Sequence, residues 1–158
     1  MSRVARSARV ASRQRVETLG SGSSAPTDKV IAAGETGELY LIDHNHASDL
    51  NIKLPPMQDG AYFKFIWKTA ATVDTADVVF QSYEETNGDF LGSIIEQVTH
   101  GTDGATAVET AGSHQSLRIG SADDTSVGSW VECVCDGSNW YWTGIQIAAA
   151  VGTVAFGN

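Results

Sequence analysis

The 158 residues of the chain suffice for one domain with a buried core, and a hydrophobic fraction of 42% excludes a chain that is disordered throughout. The net charge of −9 argues against binding of nucleic acid or anionic membranes by the chain as a whole, and no apolar run approaches the ~20 residues that span a bilayer. Glycine is abundant at 16 residues and proline scarce at 3, which is typical of a turn-rich β protein.

The N-terminal segment differs in charge from the rest of the chain. Every basic residue before Glu17 is an arginine, and no acidic residue precedes it, so the remaining residues are strongly acidic. The Gly/Ser-rich stretch GSGSSAPT follows, and we predict a basic arm with its linker over residues 1–27. Both an extended strap and a docked helix with an arginine face are compatible with this arm. The arm arginines are Arg3, Arg6, Arg9, Arg13 and Arg15.

Residues 28–158 predict a single β-sandwich domain. Short β-branched and aromatic segments are separated by turn residues, and none has a sustained helical period. Alternation within AYFKFIWK, for example, predicts Phe63, Phe65 and Trp67 on one face. The predicted fold class is all-β, an antiparallel β-sandwich or a jelly-roll-like barrel. The predicted strand segments are KVIAA, ELYLID, DLNIKL, AYFKFIWK, ADVVFQSY, FLGSIIEQVT, HQSLRI, SWVECVCDG, NWYWTG and IQIAAAVGTVAF.

The only two cysteines, Cys133 and Cys135, have C-x-C spacing. In a strand both side chains point to the same face, with Cα atoms roughly 6.5–7 Å apart, at the edge of what a disulfide can bridge. We predict two small apolar core residues, with metal binding or a strained disulfide as the alternatives.

A histidine-rich stretch is the densest polar cluster in the sequence. His44 and His46 could present two imidazoles to one metal ion, with Asp43 or Asp49 as a third ligand. The same residue types are common in turns between strands. We therefore predict a turn here and no metal site.

Catalytic motifs are absent from the sequence. A Ser/His/Asp set could be assembled from His114, Ser116 and Asp123, but no G-x-S-x-G elbow accompanies it. The GSGSS stretch lacks the lysine and the helix of a phosphate-binding loop. We expect a chain that is not an enzyme and needs no cofactor.

The segment DGSNWYWTG predicts a tight hairpin. Asp136-Gly137 suits the reversal, Asn139 begins the returning strand, and Gly144 is expected to end that strand. Alternation places Trp140 and Trp142 on one face and Tyr141 on the other, which favours a core stripe over a ligand platform.

Two stretches resemble parts of many tailed-phage virion proteins. AGETGELYLIDHNHASDLNIKLPPMQDGAYFKFIW is similar to an opening in those proteins, in which a Gly-bearing turn, a strand ending in L-P and an aromatic strand follow one another. GSWVECVCDGSNWYWTG resembles their terminal hairpin. The resemblance covers residues 34–68 and 128–144.

The resemblance implies a capsid decoration (cement) protein, a structural protein on the outer surface of the virion. Such a protein would form a homotrimer, bind the major capsid protein and bridge neighbouring capsid subunits, with the arginine arm as its anchor. Two alternatives remain open. The first is a tail or fibre module that binds a host-surface glycan through Trp140, Trp142 or Tyr62, and the second is nucleic-acid binding through the arm. We expect no membrane partner.

Overall fold

The structure, a computed structural model, describes residues 14–71, 76–83, 90–99, 105–120, 125–149 and 154–157. About 60% of these residues lie in strands, and the regular structure is otherwise one short 3-10 helix at Ala33–Glu35. Within the described ranges, no helix is long and apolar enough to cross a membrane. The strands are β1 (Val16–Gly22), β2 (Lys29–Val30), β3 (Leu39–His44), β4 (Leu50–Lys53), β5 (Tyr62–Trp67), β6 (Asp77–Gln81), β7 (Phe90–Val98), β8 (Ala105–His114), β9 (Ser116–Gly120), β10 (Trp130–Cys135), β11 (Trp140–Ala148) and β12 (Val154–Gly157).

The strands form two sheets that pack together, which confirms the predicted all-β sandwich. The larger sheet has the order β1-β3-β5-β10-β11-β7-β8, and the smaller has the order β12-β9-β6-β4-β2. Both sheets are mixed rather than purely antiparallel, because five of the strand pairs run parallel: β1–β3, β3–β5, β7–β11, β2–β4 and β4–β6.

The parallel pairs follow from the path of the chain. The first six strands alternate between the sheets, so that β1, β3 and β5 lie in the larger sheet and β2, β4 and β6 in the smaller. Parallel neighbours need a crossover connection, and here each crossover contains a strand of the opposite sheet. Val16 therefore lies opposite Leu39, and Lys29 opposite Ile52.

Aromatic side chains join the two sheets in the core. Phe80 of the smaller sheet packs against two rings of the larger sheet, Phe65 at a centroid distance of 4.7 Å and Trp142 at 5.0 Å. Offset and edge-on ring contacts of this kind add to the burial of apolar area. Phe63 and Trp67 are also buried, as strand alternation predicts.

Both cysteines are core residues, as predicted. Cys133 and Cys135 point inward from β10, are buried and form no disulfide. Burial raises the pKa of both thiols, which keeps them protonated near neutral pH.

Three features differ from the prediction. The strand β1 includes residues that we assigned to the arm and its linker. Leu19 enters the core, and Gly20, at φ +86° in a bulge of β1, lies close to the backbone of Asp43 in β3. The strand β8 had not been predicted. Gly144 does not end β11, which continues to Ala148. Glycine is required there because a Cβ atom would lie 2.7 Å from Cγ1 of Val131.

Candidate interaction surface

The predicted hairpin joins β10 to β11. Asp136 closes its turn, since one carboxylate oxygen accepts hydrogen bonds from the backbone N–H groups of Ser138 and Asn139, both at 2.8 Å. These bonds lower the pKa of Asp136. Gly137 supplies the positive φ, at +88°, that the reversal requires.

The two faces of β11 separate the aromatic residues of the hairpin. Trp140 and Trp142 are buried between the sheets, whereas Tyr141 is exposed on the outer face and donates a hydrogen bond to Asp136. Neither indole ring can therefore serve as a stacking platform for a sugar, which removes two of the three residues proposed for glycan binding.

The outer face of the larger sheet carries a continuous line of apolar side chains. In register, Leu41 of β3 lies opposite Ile66, Ile66 opposite Trp130, Trp130 opposite Ile145, and Ile145 opposite Ile95. We call these five residues the apolar row. Its members are half-buried or exposed in the single chain, although each projects from the face opposite the core.

A polar row, in which Lys64 of β5 lies opposite Glu132 of β10, runs beside the apolar row, and these two residues form an ion pair. Nζ of Lys64 lies 3.1 Å from a carboxylate oxygen of Glu132 and 4.3 Å from the centroid of the Trp130 ring. The hydroxyl of Tyr62 donates to the same oxygen of Glu132 at 2.9 Å. Burial and this carboxylate raise the pKa of Tyr62 to about 12, so the phenol stays neutral at physiological pH.

A second, shorter apolar line lies beyond the polar row. Tyr62, Val134, Tyr141 and Leu91 are opposite one another on β5, β10, β11 and β7. Val134 and Tyr141 are exposed. Apolar side chains that line one sheet face in this way, bordered by polar residues, are typical of a protein–protein contact.

The basic arm enters the body at the edge of the larger sheet. Arg15, directly before β1, forms an ion pair with Glu38 in which Nη1 and Oε1 are 2.8 Å apart. Arg15 therefore contacts the body through this ion pair, while its side chain remains 67% exposed. Its role in capsid anchoring stays a prediction. The other predicted arm residues, Arg3, Arg6, Arg9 and Arg13, lie outside the described residues.

The histidine-rich stretch does not gather a metal site from the residues we considered. His44 is buried, whereas Nδ1 of His46 accepts a hydrogen bond from the backbone of Ser48. Asp43 binds Lys68 and Thr69, and Asp49 accepts the backbone N–H of Asp77. Although His46 and Asp49 lie near His44, these described residues do not bring three ligand atoms within 4.8 Å of one another.

The described residues also give no support to the Ser/His/Asp set of His114, Ser116 and Asp123. The hydroxyl of Ser116 donates to the carbonyl oxygen of Gly157 at 3.0 Å, which is a structural bond within the smaller sheet. Asp123 lies outside the described residues, while His114 contacts the ring of Phe156.

The apolar row was missed because strands such as ELYLI and FKFIW are apolar on both faces. Strand alternation identified the buried face from its larger aromatic residues. It gave no reason for the apolar residues on the opposite face, such as Leu41 and Ile66. Apolar residues on both faces of a strand in a two-layer sandwich are the signal that could have revealed the row.

Comparisons with protein-family models, with curated proteins and with solved structures find no match for this chain.

Proposed function

We propose that this chain is a structural virion protein, a capsid decoration protein that forms a homotrimer on the outer shell of a tailed phage. The basic arm anchors each copy to the major capsid protein and bridges neighbouring capsid subunits. The observation that carries the proposal is the apolar row, which crosses five adjacent strands on the outside of a sandwich whose core is already filled. The resemblance of the hairpin and of residues 34–68 to phage virion proteins supplies the biological context.

We assign the apolar row to contacts between copies of this chain. The chain beyond the arm is strongly acidic, so two bodies repel each other over most of their surfaces. The outer face is the exception. On the five strands that carry the row, its charges are Asp43, Lys64 and Glu132, and each has an opposite charge beside it. Copies can therefore approach through this face with little repulsion while burying apolar area.

The arm is assigned to the capsid contact because the outer face, which we assign to contacts between copies, carries no unpaired acidic side chain on its five strands. Four arginines remain for a partner once Arg15 is paired with Glu38. Guanidinium groups form bidentate bonds with carboxylates, which gives an anchor both strength and direction. A protein that binds the assembled shell and not its dissociated subunits stabilises the shell by mass action.

Shell binding tests the proposal directly. Shells lacking this protein are mixed with the full chain or with a chain that begins at residue 14, and bound protein is measured after sedimentation over a range of salt concentrations. Replacing Arg3, Arg6, Arg9 and Arg13 by Lys keeps the charge but removes the bidentate geometry, whereas Gln removes both. We expect affinity and particle heat resistance to fall in the order Arg, Lys, Gln. Equal binding by all variants would refute the role of the arm.

Two other functions remain as outcomes of further tests. A tail module that binds a glycan would now depend on Tyr62, whose hydroxyl is already bonded to Glu132, and a glycan array with specific hits lost in Tyr62→Ala would favour it. Nucleic-acid binding through the arm would give a gel shift with a steep salt dependence. The acidic body opposes that function.

A further inference from the structure

Three glutamates from separate segments meet where the arm joins the body. Glu17 lies on β1, Glu35 ends the short 3-10 helix, and Glu38 precedes β3. One carboxylate oxygen from each lies within 4.8 Å of the others. We call these residues the glutamate cluster.

Most of the six carboxylate oxygens have a donor. Nζ of Lys29 contacts both oxygens of Glu17, at 3.0 and 2.8 Å, and one oxygen of Glu35 at 3.0 Å. The second oxygen of Glu35 accepts the backbone N–H of Ala32 at 2.6 Å. Arg15 donates to Oε1 of Glu38. Three negative charges therefore face two positive ones.

Two buried polar atoms at the cluster have no hydrogen-bond partner among the described residues. They are Oε2 of Glu38, whose residue is 6% exposed, and the hydroxyl of Tyr40, whose residue is 0% exposed. Burial, followed by the charges of Glu35, Glu38 and Glu17, raises the pKa of Tyr40. Tyr40 lies opposite Glu17 in the β1–β3 pair, and Nζ of Lys29 lies 5.6 Å from the centroid of its ring, so the ring borders the cluster. Its hydroxyl is a buried polar group separate from the carboxylates, and its missing partner is a second sign of unmet polar capacity here.

We propose that the glutamate cluster binds a divalent cation of the Ca²⁺ type, and that the ammonium group of Lys29 competes with it for the same oxygens. Carboxylate oxygens are the ligands that Ca²⁺ prefers, and the ion would give Oε2 of Glu38 the positive partner it lacks. The hydroxyl of Tyr40 can donate to a ligating carboxylate or accept from a water that the ion carries. The side chain of Lys29 is only 17% exposed, so an entering ion has to displace a largely buried ammonium group.

The competition with Lys29 sets the expected affinity. Because calcium must displace an ammonium group here, we expect weak binding, with a dissociation constant for Ca²⁺ on the order of 10⁻⁴–10⁻³ M. Bound calcium would join β1 to the segment before β3, which stabilises the edge strand from which the arm departs. This inference does not depend on the proposed decoration function.

We expect two variants to change the affinity for calcium in opposite directions. In Lys29→Gln the competing ammonium is removed, and we expect calcium to bind at least fivefold more tightly than in the unchanged chain. In Glu38→Gln the buried oxygen loses its charge, and we expect binding to fall at least tenfold. Asp77→Asn is the matched control, because Asp77 is also paired with a cation, Arg118, but lies away from the cluster on β6.

Affinity is measured by calorimetry and by the rise in melting temperature with CaCl₂ up to 10 mM, against choline chloride of equal ionic strength. Terbium provides a second readout, since Tyr40 should sensitise its luminescence and Tyr40→Phe should reduce the signal. A calcium-dependent shift that Lys29→Gln enhances, and that Asp77→Asn leaves unchanged, supports the site. The absence of a shift in both the unchanged chain and Lys29→Gln, or its equal loss in Asp77→Asn, overturns it.

Discussion

Replacing Ile95 by Thr is expected to weaken the association of copies without unfolding the body. Ile95 is the outermost large member of the apolar row, and 43% of its surface is exposed in the single chain. Complete burial of an Ile side chain contributes ~1.5–3 kcal/mol, so covering the remaining fraction contributes about 0.6–1.3 kcal/mol for each copy. Thr is also β-branched and keeps the strand geometry.

The effect is multiplied by the symmetry of a trimer. Three equal losses amount to about 2–4 kcal/mol, and because trimer dissociation scales with the square of concentration, the half-dissociation concentration rises roughly five- to thirtyfold. Thr retains one methyl group, which places the expectation at the lower part of that range. Analytical ultracentrifugation over a dilution series gives this concentration directly.

Gln97→Thr is the matched control for this experiment. Gln97 lies two residues further along β7, on the same outer face, opposite Ile147 and outside the apolar row. We expect its half-dissociation concentration to change less than twofold. If Ile95→Thr and Gln97→Thr behave alike, or if the unchanged chain is monomeric at every concentration, the assignment of the row to contacts between copies is wrong.

Three further predictions concern the body and the arm. His44 is buried, and burial together with the nearby His46 lowers its pKa below 6.5. The folded chain thus holds His44 neutral, and the free energy of unfolding should fall as the pH drops from 7.5 towards 5, while His44→Leu flattens that slope in urea titrations. Gly92→Ala should lower the free energy of unfolding by at least ~3 kcal/mol, because Gly92 has φ +136° and an added Cβ would collide with the carbonyl of Trp142. As its control, Gly34→Ala should change the free energy of unfolding by less than ~0.5 kcal/mol, because Gly34 has open space around it. Deleting residues 1–13 should leave the melting temperature within about 2 °C, since β1 and its ion pair remain, whereas deleting residues 1–19 should lower it clearly by removing the buried Leu19.

The core was the part of the fold that the sequence predicted best. Phe63, Phe65 and Trp67 alternate with smaller or charged neighbours, and a period of two is enough to identify the buried side of a strand. The pairing of strands was harder to predict. Nothing in ELYLID or DLNIKL says that β3 and β4 belong to different sheets, because that depends on contacts between residues far apart in the sequence.

The remaining differences have local physical causes. The strand β8 has the sequence ATAVETAGSH, whose small and polar residues give little strand signal, and its partner β7 holds it in place through the ladder. Gly144 suggested a strand end, but it lies within β11 where two backbones approach closely.

The surfaces proposed for function were less predictable than the core. The apolar row depends on five strands being aligned in register, and the glutamate cluster depends on three segments meeting in space. Neither has a characteristic spacing in the sequence. The basic arm, in contrast, was predicted from charge alone and stays a prediction, because residues 1–13 lie outside the described residues. Arg15, at the end of that segment, pairs with Glu38.

Cryo-electron microscopy of the assembled particle is the measurement that tests the central proposal most directly. We predict three copies around local three-fold positions on the outer shell, with the apolar rows of neighbouring copies in contact and residues 1–13 lying against capsid subunits. Copies confined to the tail tip, or copies on the shell whose outer sheet faces remain solvent-exposed and whose arms touch no capsid subunit, would contradict it.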